Sequence, residues 1–129
     1  MHLLDSSAAI ALFASNHADH DAVDRWAATI APLAMCPISE GAVMRYLVRL
    51  NVPAPLVRRT IKDVYARHGW SFIADSLSYA DSDMDAVAGY RQVTDAYLVA
   101  LAEHARATLA TLDKALAALY PGDAVLIPS

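Results

Sequence analysis

Apolar residues are distributed along this chain in two ways, as short continuous runs and as longer segments where they recur every three or four positions. Residues 2–4 form the first run, a buried strand ended by Asp5. Ser6 and Ser7 are good N-cap residues for the alanine-rich helix Ala8–Phe13, and Asn16–Asp19 reads as a turn. Asp21–Ala31 has Val23, Trp26, Ala27 and Ile30 on one helical face and is stopped by Pro32. Leu33–Pro37 reads as a second strand. Ser39 then caps a helix to about Arg49, with Val43, Leu47 and Leu50 at helical spacing. After the break at Asn51–Pro55 a helix is expected over Leu56–Arg67, ended by Gly69, and then a third strand over Trp70–Ala74. Asp75–Arg91 is polar and weakly patterned, a short helix or loop. Thr94 caps a helix from Asp95 to about Ala105, Thr108–Leu112 is a fourth strand, Lys114–Leu119 a short helix and Ala124–Ile127 a last strand.

Strands alternating with helices imply a three-layer α/β/α domain around a mostly parallel sheet of four to five strands. The sequence has no internal repeat, low-complexity tract or linker, so residues 1–129 read as one domain. Four carboxylates sit where one element gives way to the next. Asp5, Glu40 and Asp113 follow strands one, two and four, and Asp95 opens a helix. Ligands of open α/β sheets bind beyond the carboxyl ends of the strands, where strand order reverses. Acids gathered there suit a hard divalent cation, because Mg²⁺ takes oxygen ligands. The plainer reading is that each acid caps a helix, worth roughly 1 kcal/mol.

Composition narrows the function classes. Of the 129 residues 57% are hydrophobic, much of this alanine, yet no run is long enough for a transmembrane helix and no cationic leader opens the chain. A cytoplasmic protein is expected. Cys36 is the single cysteine, which precludes an internal disulfide and suits a reducing compartment; it reads as a small core residue. The net charge of −4 excludes a general polyanion binder of the basic-patch kind. It does not exclude nucleic acid, since metal ions can neutralise an acidic cluster. Arg58, Arg59 and Lys62, with Arg67, form a local basic strip that reads as a solvated helix face.

The motifs around the acids point further. Leu3-Leu4-Asp5-Ser6-Ser7-Ala8-Ala9-Ile10-Ala11-Leu12 resembles the opening motif of the PIN-domain family. Pro37-Ile38-Ser39-Glu40-Gly41-Ala42-Val43-Met44-Arg45 resembles its second acidic motif, with Arg45 also matching. Gly89-Tyr90-Arg91-Gln92-Val93-Thr94-Asp95-Ala96-Tyr97-Leu98 resembles the third, and Ala110-Thr111-Leu112-Asp113-Lys114-Ala115-Leu116 the fourth. Order, spacing and length are most similar to VapC-type toxins of type II toxin–antitoxin modules. The resemblance implies a Mg²⁺- or Mn²⁺-dependent endoribonuclease with Asp5, Glu40, Asp95 and Asp113 as its acidic quartet. It assigns Thr111 a supporting hydroxyl and brings Arg45 and Ser7 near acids or substrate, although many relatives carry Asn where this chain has Ser7. It also implies a homodimer, a cognate VapB-like antitoxin and an RNA substrate, transfer RNA being a common target among similar toxins.

Other features carry less. His17 with Asp21 and His20 with Asp24 are spaced i, i+4, which could set metal ligands on one helix face; a polar helix start is the simpler reading. Asp81, Asp83 and Asp85 resemble the start of a calcium loop but lack its glycine and terminal glutamate. Ser6 lacks the glycine-flanked elbow of a nucleophile. A non-catalytic PIN-like binding module is the alternative, disfavoured because such a module has no reason to keep mutually repelling acids. A response-regulator-like phosphoacceptor domain fits poorly, since Lys114 follows Asp113 directly.

Overall fold

The computed structural model describes residues 1–30 and 32–129. Strands β1 (His2–Leu4), β2 (Leu33–Met35), β3 (Ser71–Phe72), β4 (Thr108–Thr111) and β5 (Ala124–Leu126) form one sheet in the order β3-β2-β1-β4-β5. Every pairing is parallel, so the sheet is fully rather than mostly parallel. The chain builds outward from β1 through β2 to β3, then crosses back to place β4 on the other side of β1. Strand order therefore reverses between β1 and β4, and the crevice of such a sheet opens beyond their carboxyl ends.

The alternation of side chains along each strand divides the interior in two. Leu3, Ala34, Leu109 and Ala124 face α5 (Val93–His104) and α6 (Lys114–Leu119). Leu4, Leu33, Met35 and Ala110 face α1 (Ser6–Phe13), α2 (His20–Thr29), α3 (Pro37–Arg49) and α4 (Ala54–His68). The abundant alanine has a structural use in α1, where Ala8, Ala9 and Ala11 are buried and let the helix lie close to the sheet and α3. By contrast α5 is buried nearly all round. Its outer side is covered by the segment before it, through Leu77 and Met84, and the Tyr97 hydroxyl donates to the Leu77 carbonyl at 2.8 Å.

Several caps differ from the sequence expectation. Asp5 itself, not Ser6 or Ser7, is the N-cap of α1, its carboxylate accepting from the Ala8 amide; both serines are already helical. Cys36 occupies the N-cap of α3, Pro37 is the first helical residue, and Ser39 sits three residues in with its Oγ accepting from the Cys36 amide at 3.0 Å. Thr94 lies inside α5, which starts at Val93. Strand β3 is shorter than Trp70–Ala74 because it is an exposed edge with a partner on one side only. Asp75–Arg91 carries two single 3₁₀ turns, Tyr79–Asp81 and Tyr90–Gln92. The predicted end of the second helix at Ala31 lies outside the described residues. Gly69 ends α4 at φ 63°, a left-handed backbone that glycine adopts without strain. No helix among the described residues is long and apolar enough to cross a membrane.

Candidate functional site

Asp5 stands at the end of β1, on the side of the sheet where strand order reverses, and is 4% exposed. A buried carboxylate is costly unless donors surround it. Here the Ala8 amide (2.8 Å) and the Ser7 hydroxyl (2.7 Å) donate to Oδ1, and the Thr111 hydroxyl (2.5 Å) donates to Oδ2. Thr111, the last residue of β4, is itself fixed, since its Oγ1 accepts from the Asp113 amide at 3.0 Å. Ser7 also bridges the two strands, accepting from the Leu112 amide at 3.3 Å. Ser7, where many relatives carry Asn, thus makes polar contacts to both Asp5 and Leu112.

Asp113 caps α6, with Oδ1 accepting from the amides of Ala115 (2.9 Å) and Leu116 (3.2 Å). Asp95 lies in the first turn of α5, half-buried and with no hydrogen-bond partner among the described residues. Two of these acids are perturbed. Burial foremost, with the charge of Asp113 adding, pushes the Asp5 carboxyl above its usual range, while the bonds from Thr111, Ala8 and Ser7 pull the other way. Asp95 is also pushed up, first by burial and then by the charges of Asp5 and Asp113.

Glu40, the fourth acid, is held apart in the first turns of α3. The Tyr65 hydroxyl of α4 donates to its Oε2 at 2.9 Å, and burial together with this carboxylate pushes the tyrosine phenol upward. Tyr65 was not a candidate in the sequence; its spacing from Ile61 marks only the buried face of α4. Arg45 is exposed on α3, and its guanidinium passes over Gly41, where an added Cβ would lie 3.2 Å from Nη1. Glycine keeps that path open. Among the described residues Arg45 makes no salt bridge.

An oxygen-only donor set of carboxylates at element ends is chemically suited to a hard divalent cation. Asp5, Asp95 and Asp113 fit that role by charge and placement. They are not drawn together into a ready chelate: among the described residues no three His, Cys, Asp or Glu side chains are grouped closely enough to hold one ion.

The remaining candidates do not join this site. His17 lies ahead of α2 and its Nδ1 accepts from the Asp19 amide, so it does not share a helix face with Asp21. The His20 ring is engaged with the Ala11 carbonyl at 2.9 Å, which ties α2 to α1 and gives its second pair a packing purpose. Asp81, Asp83 and Asp85 are exposed, with Asp83 accepting from the Asp85 amide. Cys36 is fully buried. Arg58, Arg59 and Lys62 are exposed on α4, and Arg67 pairs with Asp63 at 3.0 Å.

A model of the PIN-domain family matches residues 2–120. The chain is a PIN domain of the VapC kind. It is 41% identical to Ribonuclease VapC29 of Mycobacterium tuberculosis over 128 residues, which span 98% of this chain and 96% of that protein. It is 36% identical to Ribonuclease VapC38 of the same organism over 88% of this chain and 85% of that one. With Ribonuclease VapC39 the identity is 30%, over 89% and 90%. In this PIN domain Asp5 follows β1, Asp113 follows β4, Asp95 lies in the first turn of α5, and Glu40 lies in the first turn of α3 with its carboxylate bound by Tyr65.

Proposed function

We propose that this PIN domain, taken as residues 1–129, is a metal-dependent endoribonuclease that hydrolyses RNA phosphodiester bonds and is the toxin of a type II toxin–antitoxin pair. The observation that carries the reading is the placement of Asp5 and Asp113 directly after the paired strands β1 and β4, where strand order reverses. The names of the VapC ribonucleases it resembles support the same chemistry. Asp5, Asp95, Asp113 and Glu40 would hold Mg²⁺ or Mn²⁺, which when bound supplies activation of water and neutralises charge on the phosphate and leaving oxygen.

The chain's own residues do the rest. Ser7, Thr111 and the Ala8 amide fix the Asp5 carboxylate in one orientation, so little order has to be gained when substrate arrives. The capping bonds on Asp113 Oδ1 hold that side chain at the rim while leaving Oδ2 open. Arg45, exposed on the helix that carries Glu40, offers a planar cation for a phosphate oxygen. On family grounds the protein acts as a homodimer in the cytoplasm and is silenced by a small cognate VapB-like antitoxin, with transfer RNA as its substrate class.

The test pairs two assays. Purified protein should cleave a structured RNA in Mg²⁺ or Mn²⁺, and should be inactive in EDTA and as Asp5→Asn. Expression of the chain alone should arrest growth, with relief by a co-expressed neighbouring small protein. Folded, metal-supplied protein that neither cleaves RNA nor slows growth would favour the non-catalytic binding module.

A further inference from the structure

Glu40 differs from the other three acids in what holds it. Asp113 takes bonds only from amides at the start of its own helix, Asp5 takes them from the Ala8 amide, the Ser7 hydroxyl and the Thr111 hydroxyl of the neighbouring strand β4, and Asp95 takes none. Glu40 alone is bound by a side chain from a different helix, the phenol of Tyr65, twenty-five residues further along. That phenol is positioned in turn. Tyr65 packs at the edge of the core under α3 and α4, and its ring meets Phe72 of β3 edge-on, with centroids 6.4 Å apart. The bond engages Oε2, and Oε1 has no partner among the described residues.

A half-buried glutamate on a helix has three rotatable bonds, and a single fixed oxygen removes most of that freedom. An outer hydrogen bond of this type orients a ligand carboxylate without touching the ion. We propose that Tyr65 is a positioning residue of the acidic site: its hydroxyl anchors Glu40 Oε2 so that Oε1 is presented as the free oxygen for the divalent cation. The inference rests on the assignment of Glu40 to that site under the proposed function. It deepens that assignment by making the carboxylate's usefulness depend on α4.

The experiment is a double-mutant cycle on the full chain, with Mn²⁺ affinity as the readout, measured from the electron paramagnetic resonance of the free ion. The variants are Tyr65→Phe, Glu40→Ala and the pair together. Phenylalanine keeps the ring against Phe72 and removes one hydroxyl, so the variant retains the core contacts. Tyr65→Phe is expected to weaken Mn²⁺ binding by about tenfold, as loss of an outer-shell partner commonly does. In the Glu40→Ala background the same change should have no further effect, because the group it acts through is gone. An equal loss in both backgrounds would mean that Tyr65 only supports the fold, and would overturn the proposal. Unchanged Mn²⁺ affinity in Tyr65→Phe, with a clear loss in Glu40→Ala, would overturn it while leaving the acidic site intact. If Glu40→Ala binds Mn²⁺ like the parent, Glu40 is not a ligand, and both the assignment and this inference fall.

Discussion

Asp95→Asn separates a helix-start acid from a member of a charged site by the sign of its effect on the metal-free protein. The substitution is nearly isosteric and breaks no hydrogen bond, since the Asp95 side chain makes none among the described residues. An acid in the first turn of a helix interacts favourably with the helix dipole, worth about 0.3–1 kcal/mol. If that were the whole role of Asp95, its replacement would lower stability by this amount. Burial first, and then the charges of Asp5 and Asp113, push the Asp95 carboxyl above its usual range and oppose that gain. Each like-charge neighbour costs on the order of 1 kcal/mol once the partial exposure of Asp95 is allowed for by solvent screening. Two neighbours less the lost dipole interaction leave a net gain of about 1 kcal/mol for the asparagine variant. For a chain of 129 residues this corresponds to a Tm higher by about 4 °C in EDTA at neutral pH.

The pH dependence follows from the direction of the shift. A carboxyl whose folded pKa lies above its ordinary value of 3.8 destabilises the fold above that raised value, where it is charged. The penalty fades as pH falls through the raised value, because the folded state then takes up the proton more readily than the unfolded chain. The advantage of Asp95→Asn should therefore be full near pH 7 and shrink in mildly acidic buffer. Mn²⁺ should reverse the order, raising the Tm of the parent more than that of the variant and restoring RNA cleavage only in the parent. Scanning calorimetry across pH, with chelator and with Mn²⁺, measures all of this. A lower Tm for the variant in EDTA, together with an unchanged Mn²⁺-induced shift, would refute the reasoning and return Asp95 to the role of an ordinary helix-start residue.

Two further outcomes test the frame around the acids. Thr111→Val removes the hydroxyl that donates to Asp5 and accepts from the Asp113 amide, so urea unfolding at neutral pH should show a loss of about 2–3 kcal/mol that narrows as Asp5 protonates in acid. Arg45→Ala should leave Mn²⁺ affinity near that of the parent and raise KM for RNA, with a smaller loss of kcat than Glu40→Gln, because a guanidinium can meet phosphate but cannot stand in for a carboxylate ligand.

What could be read in the sequence was what is decided within a few residues. The helix Lys114–Leu119 was legible to the residue because Asp113 is both its cap and the end of a continuous apolar run. β1 was equally clear, since Asp5 breaks it. A cap was misassigned where three good capping residues compete: with Asp5, Ser6 and Ser7 in succession, the choice falls to Asp5, whose carboxylate also collects the Thr111 hydroxyl across the sheet, a partner 106 positions away. The third strand was drawn too long because β3 is an edge of two exposed residues whose pattern hardly differs from that of a loop. The same limit explains the acids. Their places at element ends are local and were visible, and parallel pairing of β1 with β4 is enough to bring Asp5 and Asp113 to one edge. Tyr65 could not be seen this way. Its helical spacing reports burial against the core, and the bond to Glu40 exists only because α3 and α4 pack side by side. The location of Glu40 can thus be inferred from its own motif, whereas the hydrogen bond that fixes its Oε2 comes from a residue with no motif at all.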